Sequence, residues 1–284
     1  MSAAVEAKQS ELHQLETLRF VTGAFFELSA EKIGRLRIAF ENNQRFFTEV
    51  AELYEAVKQA AAPSTAAAQA SARTSRDIFV AFTSNAHFYG SVNADVIRVF
   101  VDRAMRSPGD LLVIGETGKS FLEEYPLLKS RLTYVSFQGD DPTKVESEQF
   151  LRRVAAYDHV YLFHPAFLNI FTQVASELDI THAPASASAG RAAPVEKRFE
   201  YLFEPELSKI LKFFETRVRY LLFQRVMLEA ELARTAARLL AMDNAESKAN
   251  TALATLQRTI RREVETFNDS RLLEAFSAIA KWRT

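Results

Sequence analysis

A short glycine-containing stretch, residues 115–120 (GETGKS), comes nearest to a chemical motif in this sequence. It follows an apolar run, opens a helix-compatible segment and ends in Gly-Lys-Ser, as a phosphate-binding loop does. Such a loop also has a glycine five residues before its second glycine, and here Val113 holds that position. The loop from Gly115 to Gly118 is too short to wrap a triphosphate. We therefore expect a tight strand-to-helix turn and no bound nucleotide.

The histidines do not form a metal-binding or catalytic pattern. His159 and His164 flank one apolar run at an odd spacing, so we expect them to point to opposite faces of a strand, with no carboxylate pair at a metal-ligand spacing. His87 and Ser84 lie after the first apolar run, where α/β folds usually bind ligands, but the spacing supplies no acid partner for a hydrolase triad. We expect no catalytic residue, cofactor or metal site in this chain.

Composition excludes several classes of protein. The 284 residues are 48% apolar, which is ample for a core, and the absence of cysteine excludes disulfides and thiolate metal sites. The charge is balanced, with 35 basic and 36 acidic residues, so we expect no nucleic-acid partner. There is no apolar run long enough to span a bilayer, and the first residues lack the pattern of a secretory signal. We expect a soluble protein without direct membrane insertion.

The residues that could do chemistry are carried by a chain whose ends are helical. Residues 206–284 contain no glycine and no proline, and their apolar residues recur at alternating steps of three and four. This pattern predicts one long helix over residues 205–284, with Pro205 in its first turn, and a continuous helix of this length would span about 110 Å. Residues 1–62 show the same spacing. We expect the two helices to pair antiparallel as a coiled coil, because neither has a partner nearer in sequence.

The middle of the chain has a different period. After a linker of small residues at 63–76, short apolar runs at 77–83, 110–115, 131–137 and 159–163 alternate with helix-compatible segments at 92–105, 119–128 and 144–156. Continuous apolar strands that alternate with helices indicate a parallel sheet covered on both faces. Residues 167–180 fit either a strand or a helix, and residues 200–205 read as a short strand. The predicted fold is α/β: a Rossmann-like domain with a mainly parallel sheet at 77–204, between the two coiled-coil helices.

This layout and several of its segments resemble the gamma subunit of F-type ATP synthases. The most specific match joins YLFEP at 201–205 to ELARTAARLLAMDNA at 231–245, in the family's order and spacing. Further matches are residues 18–33, near the N-terminus, and IFVAFTS at 78–84 with Gly90 and Asn93. The chain departs from the family at 85–91, where NAHFYGS replaces a DRGLCGG loop, and at Val264 and Glu265, where the family has an Arg-Gln pair. It resembles a divergent member, such as one encoded by an alternative F-type operon.

The resemblance implies a non-catalytic rotor shaft that couples ion translocation to ATP synthesis or hydrolysis. Its implied partners are the α and β subunits, whose ring would receive residues 253–284, and the epsilon subunit and membrane c-ring, which would face the α/β domain. The implied location is peripheral, on the cytoplasmic face of the inner membrane. We expect partner contacts at Phe25, Lys32, Met242, Asp243, Asn244, Arg258, Arg261, Arg262, Leu272, Phe276 and Ile279.

Two alternatives remain open from the sequence alone. A non-rotary coiled-coil adaptor would explain the helices without needing the α/β domain, and it would self-associate when purified. A small-molecule-binding α/β enzyme would bind its ligand at residues 84–91 and 115–120, and nucleotides would then raise its melting temperature.

Overall fold

Two long helices flank a central sheet domain in the computed structural model, which describes residues 3–61, 76–181 and 207–282. Most of the predicted linker and the predicted strand at 200–205 lie outside these residues. The helices are α1 (Ala3–Ala61), α2 (Val92–Arg106), α3 (Glu116–Leu122), α4 (Lys144–Val154) and α5 (Leu207–Trp282), with a 3-10 helix at Pro126–Leu128. The predicted α/β class with long terminal helices is confirmed.

The sheet has five strands in the order β3-β2-β1-β4-β5. The pairs β1–β2, β1–β4 and β2–β3 are parallel, whereas β4 and β5 form an antiparallel hairpin at one edge. The segment that fitted either a strand or a helix is thus mostly strand. The strands are β1 (Asp77–Phe82), β2 (Asp110–Ile114), β3 (Leu132–Val135), β4 (His159–Asn169) and β5 (Thr172–Asp179).

One predicted helix is shorter than expected. The segment predicted as helical over 119–128 begins earlier, at Glu116, and its α-helix ends at Leu122. Proline has no amide hydrogen and disfavours helical backbone in the residue before it, so Tyr125 and Pro126 cannot continue the α-helix. A single 3-10 turn follows instead.

Both faces of the sheet are covered, because successive side chains of a buried strand point in opposite directions. On one face Phe79 and Phe163 pack against α2, where the Phe100 ring meets Phe163 edge-on with the centroids 5.6 Å apart. On the other face the strands pack against α4, the end of α1 and the first half of α5. There Phe150 of α4 and Phe223 of α5 stack at 4.8 Å. Burial on both faces explains why the inner strands read as continuous apolar runs.

The chain divides into two compact units, and α1 and α5 contribute to both. One unit contains residues 31–237 and includes the sheet; the other contains residues up to 30 and from 238 onward. In the second unit the helices pair antiparallel. Lys8 pairs with Glu263, and farther along α1 the guanidinium of Arg238 lies over the ring of Phe25, at 5.7 Å. None of the helices that the structure describes has an apolar stretch sufficient to cross a membrane.

Candidate functional site

The glycine-containing turn at 115–120 is closed by hydrogen bonds from its own domain. The amides of Glu116, Thr117 and Gly118 donate to Asn85 Oδ1 (3.1 Å), Ser84 O (3.0 Å) and Thr83 Oγ1 (3.0 Å). A Cβ placed on Gly118 would lie 2.5 Å from Thr83 Oγ1, so the two segments are in close contact. The amides that would bind an anion at a helix N-terminus are therefore already in use. This is the tight turn that the sequence predicts.

The two strand histidines occupy different surroundings. His164 is buried, with Nε2 3.8 Å from Glu229 Oε2 of α5. His159 is partly exposed, and its Nδ1 lies 2.9 Å from Asp179 Oδ2. The hydrogen bond with Asp179 raises the pKa of His159, although burial opposes this effect. These contacts join β4 to α5 and to β5, and they explain both histidines as parts of the packing.

Loop residues at the carboxyl edge of the sheet are held by Asp140. Its carboxylate accepts hydrogen bonds from the Tyr89 hydroxyl (2.5 Å) and from the amides of Asn85 (2.6 Å) and Ala86 (3.2 Å). Burial alone would raise the pKa of Asp140. These hydrogen bonds, together with a nearby arginine, outweigh burial and lower that pKa. Asp140 is therefore ionised at neutral pH and fixes the loop after β1 to the loop before α4.

That arginine is Arg234 of α5, which the structure buries almost completely, with 1% of its surface exposed. Its guanidinium carbon lies 4.8 Å from the centroid of Phe82, the last residue of β1, and its Nη2 donates to the backbone oxygen of Asp140 at 3.1 Å. Desolvation lowers the pKa of Arg234, and the negative charge of Asp140 opposes this. A helix from the C-terminal part of the chain thus places a buried cation at the edge where α/β folds bind ligands.

A second buried charge lies three residues earlier on α5. Glu231 has a nearly buried side chain and forms an ion pair with Lys32 of α1. Its neighbour Asp141 has a pKa raised to about 7 by burial, by a hydrogen bond with Glu231 and by the negative charge of Glu231. We use the term charged cluster for Lys32, Asp140, Asp141, Glu231 and Arg234. It joins α1, α5 and the loop before α4, all within the unit formed by residues 31–237.

The charged cluster predicts a dependence of stability on pH. The pKa of Asp141 in the folded chain is about 7, above its ordinary value of 3.8, so the stability it contributes is present below about pH 4 and is lost as the pH rises to about 7. Since the surface of Asp141 is exposed to solvent, although the surrounding protein desolvates its carboxylate, solvent screening reduces the loss to about 1–2 kcal/mol. We expect Asp141→Asn to flatten the free energy of unfolding between these pH values, measured by urea denaturation.

The control for this prediction is Asp243→Asn, because Asp243 is an exposed residue of α5 outside the charged cluster. We expect it to keep the pH dependence of the parent chain. If the free energy of unfolding changed equally with pH in the parent chain and in Asp141→Asn, the prediction would be contradicted.

The far end of α5 has a different character. Side chains that are buried against α1 extend to Leu253, and partly buried ones extend to Val264. Every described side chain from 265 to 278 is exposed. Large apolar residues lie among them, including Leu272 and Phe276, which are 57% and 66% exposed. Exposed apolar side chains at the end of a described helix are suited to binding another molecule.

Comparison with known proteins identifies the family. A family model described as ATP synthase matches residues 6–263 of the chain. The chain belongs to this family. Its curated relatives include the ATP synthase gamma chains of Moorella thermoacetica, 22% identical over 84% of both chains, and of Phenylobacterium zucineum, 24% identical over 97% of this chain and 98% of the relative. The resemblance to gamma subunits that the sequence indicates is confirmed.

Solved structures of ATP synthases share the fold of this gamma-family chain. A chain from the central stalk and c-ring structure of Tetrahymena thermophila mitochondrial ATP synthase matches with a TM-score of 0.59 at 23% identity, covering 79% of this chain and 99% of that one. A chain from a Euglena gracilis mitochondrial ATP synthase structure matches with a TM-score of 0.56 at 12% identity, covering 91% and 94%. At sequence identities this low, the structural similarity shows a shared fold.

The residues of this gamma-family chain that we expected to contact partners fall into three groups. Phe25 lies partly buried under Arg238, Lys32 is paired with Glu231, and Met242 is 6% exposed, so all three are engaged within the chain. The side chain of Ile279 lies outside the described part. The others are exposed, and their contacts remain predictions: Asp243, Asn244, Arg258, Arg261, Arg262, Leu272 and Phe276.

Sequence reasoning missed Arg234 and Asp140, because their contact joins residues 94 positions apart. A local signal for Arg234 was present in the sequence. It is a cation within a run of small residues, with Ala233, Ala236 and Ala237 beside it, and all of these are buried. A charge at the centre of a small-residue helix face indicates a specific buried partner.

Proposed function

We propose that this chain is the central shaft of a rotary F-type ATP synthase, and that the far end of α5 turns inside a ring of α and β subunits. The observation that carries the proposal is the exposed end of α5 in a chain of the ATP synthase family, where Phe267, Leu272 and Phe276 leave apolar surface uncovered. An apolar surface on a rigid helix can slide within a ring, because hydrophobic contacts are not directional.

The shaft would act by differential contact and would make no bonds itself. A helix presents different side chains in different directions, so each catalytic site around it would meet a different surface at a given angle. A ligand or partner shifts a conformational equilibrium only by the difference in its affinity for the two states. Rotation would therefore change the conformation that each β subunit prefers, in turn, and ion flow would be coupled to ATP synthesis or hydrolysis.

The charged residues nearer the middle of α5 would serve a second kind of contact. Arg258, Arg261 and Arg262 are exposed, and exposed cations can attract acidic loops of a surrounding ring over several ångströms. The α/β domain would face the epsilon subunit and the c-ring. The complex would then hold this chain at the cytoplasmic face of the inner membrane, as a peripheral protein.

The test is affinity purification of the tagged chain from its native cells, with the partners identified by mass. We expect about three α and three β subunits for each copy of this chain, together with an epsilon subunit. Recovery of the chain alone, or as a homodimer, would contradict the proposal and would favour the coiled-coil adaptor.

A further inference from the structure

The carboxyl edge of the sheet is filled by a side chain of the protein itself. In open α/β sheets, ligands bind in the crevice beyond the carboxyl ends of the strands. Here the amides at the start of α3 are taken up by residues of the loop after β1, including Ser84 and Asn85. At the end of β1, the guanidinium of Arg234 lies over the ring of Phe82 and donates to the backbone oxygen of Asp140. The position of a ligand in related architectures is therefore held by a residue of α5.

The surroundings of this guanidinium satisfy part of its chemistry. One face lies over the ring of Phe82, and Nη2 donates to the backbone oxygen of Asp140, whereas Nε and Nη1 are buried without a hydrogen-bond partner among the described residues. The negative charges of Asp140, Asp141 and Glu231 favour the charged form of the guanidinium. Burying a cation is costly unless such groups compensate it. The compensation comes from three separate positions, two in the loop before α4 and one on α5 itself.

Near Arg234, α5 also makes polar contacts through Glu231, which pairs with Lys32 and hydrogen-bonds with Asp141, and through Glu229, whose Oε2 lies 3.8 Å from His164 Nε2. Around Arg234, α5 presents the small or apolar residues Ala230, Ala233 and Ala237, all buried. Apolar contacts between helices and sheets vary little when a helix turns slightly about its axis. A planar guanidinium has fixed donor directions, and it holds one orientation far better than an ammonium group or an apolar side chain does.

We propose that the carboxyl edge of this sheet is a guanidinium-binding site whose resident ligand is Arg234, and that this occupancy fixes the rotational setting of α5 against the α/β domain. The inference concerns the folded chain alone, so it does not depend on the proposed rotor function. If the chain is a rotor, the same contact carries torque between the α/β domain and α5.

The experiment measures the setting of α5 by spin-label distances in the full chain. The chain contains no cysteine, so Leu127→Cys and Phe213→Cys provide the only two labelling positions. Both residues are exposed, at 78% and 66%, and both belong to the unit formed by residues 31–237. We expect a single narrow distance distribution in the labelled parent chain.

Arg234→Ala should empty the site. We expect the distance distribution to broaden, or to shift by about 1–2 Å, as packed helices do when a contact that fixes them is lost. Millimolar guanidinium chloride should restore the narrow distribution by occupying the vacated site, whereas sodium chloride at the same ionic strength should not. Restoration by guanidinium separates the proposed site from a simple packing defect, since a packing defect has no preference for that cation.

The matched control is Arg225→Ala. Arg225 is also on α5 and its guanidinium also lies near an aromatic ring, 5.7 Å from the centroid of Phe47, but it is not at the carboxyl edge of the sheet. We expect this variant to keep the narrow distance distribution of the parent chain and to show no change when guanidinium chloride is added.

Two results would overturn the proposal: a distribution like that of the parent chain in Arg234→Ala, or a broadened one that guanidinium and sodium affect equally. If Arg234→Ala does not fold, refolding in the presence of guanidinium chloride becomes the test. Recovery of the folded chain would support the site, and a chain that stays unfolded would overturn it.

Arg234→Lys gives an independent check. It keeps the charge without the planar donor group, so a distribution identical to that of the parent chain would overturn a guanidinium-specific site.

Discussion

Phe223→Ala is expected to lower the free energy of unfolding by about 3–5 kcal/mol. The Phe223 side chain is fully buried where α5 packs on the sheet, and its ring stacks on that of Phe150 with the centroids 4.8 Å apart. Truncation to alanine would remove the buried apolar surface of the side chain and its contact with the Phe150 ring. It would also leave a cavity between α4 and α5, because the two helices cannot move together to fill it. Urea denaturation followed by circular dichroism gives the free energy directly.

Phe213→Ala is the matched control, because Phe213 is on the same helix but is 66% exposed. We expect it to change the free energy of unfolding by about 0.5 kcal/mol or less. Similar losses for the two variants would mean that α5 does not pack on the sheet through the Phe223 face.

The strands could be predicted from the sequence where both faces are buried. The run DLLVI in β2 and the run DIFVAF in β1 contain buried residues on both faces, so their apolar character is continuous. The last part of β4 was harder to predict, because Pro165 interrupts its apolar run. Beyond Phe163, β4 pairs with β5 alone, and a proline is tolerated where its nitrogen faces away from the partner strand.

The long helices could be predicted because their apolar residues repeat over many turns, which makes the pattern robust to a few departures. The charged cluster could not be predicted in the same way. Asp140 and Arg234 meet only because the sheet brings the loop before α4 beside α5, and no local pattern in either segment records the other. Lys32 and Glu231 are a similar case, since each reads as an ordinary helix-surface charge until the helices are paired.

Deleting residues 275–284 is expected to weaken assembly with the α and β subunits while leaving the fold intact. Described side chains from 265 to 278 are exposed, so the deletion removes no described buried contact, and we expect the free energy of unfolding to change by about 0.5 kcal/mol or less. Burying one phenylalanine in a partner contributes about 1.5–3 kcal/mol, so loss of Phe276 alone should weaken binding by about 10-fold to 100-fold. Thermal unfolding and reconstitution with purified α and β subunits measure the two quantities.

A pair of point variants separates the exposed end of α5 from exposed apolar surface in general. Phe276→Ser should weaken assembly with the α and β subunits, whereas Leu127→Ser should not, although Leu127 is the more exposed of the two, at 78% against 66%.

If the chain without residues 275–284 still formed an intact complex, the deletion prediction would be contradicted, and the ring would hold the shaft through residues nearer the middle of α5. The exposed arginines at 258, 261 and 262 would then be the contacts to change next, and salt would weaken them where it leaves apolar contacts in place.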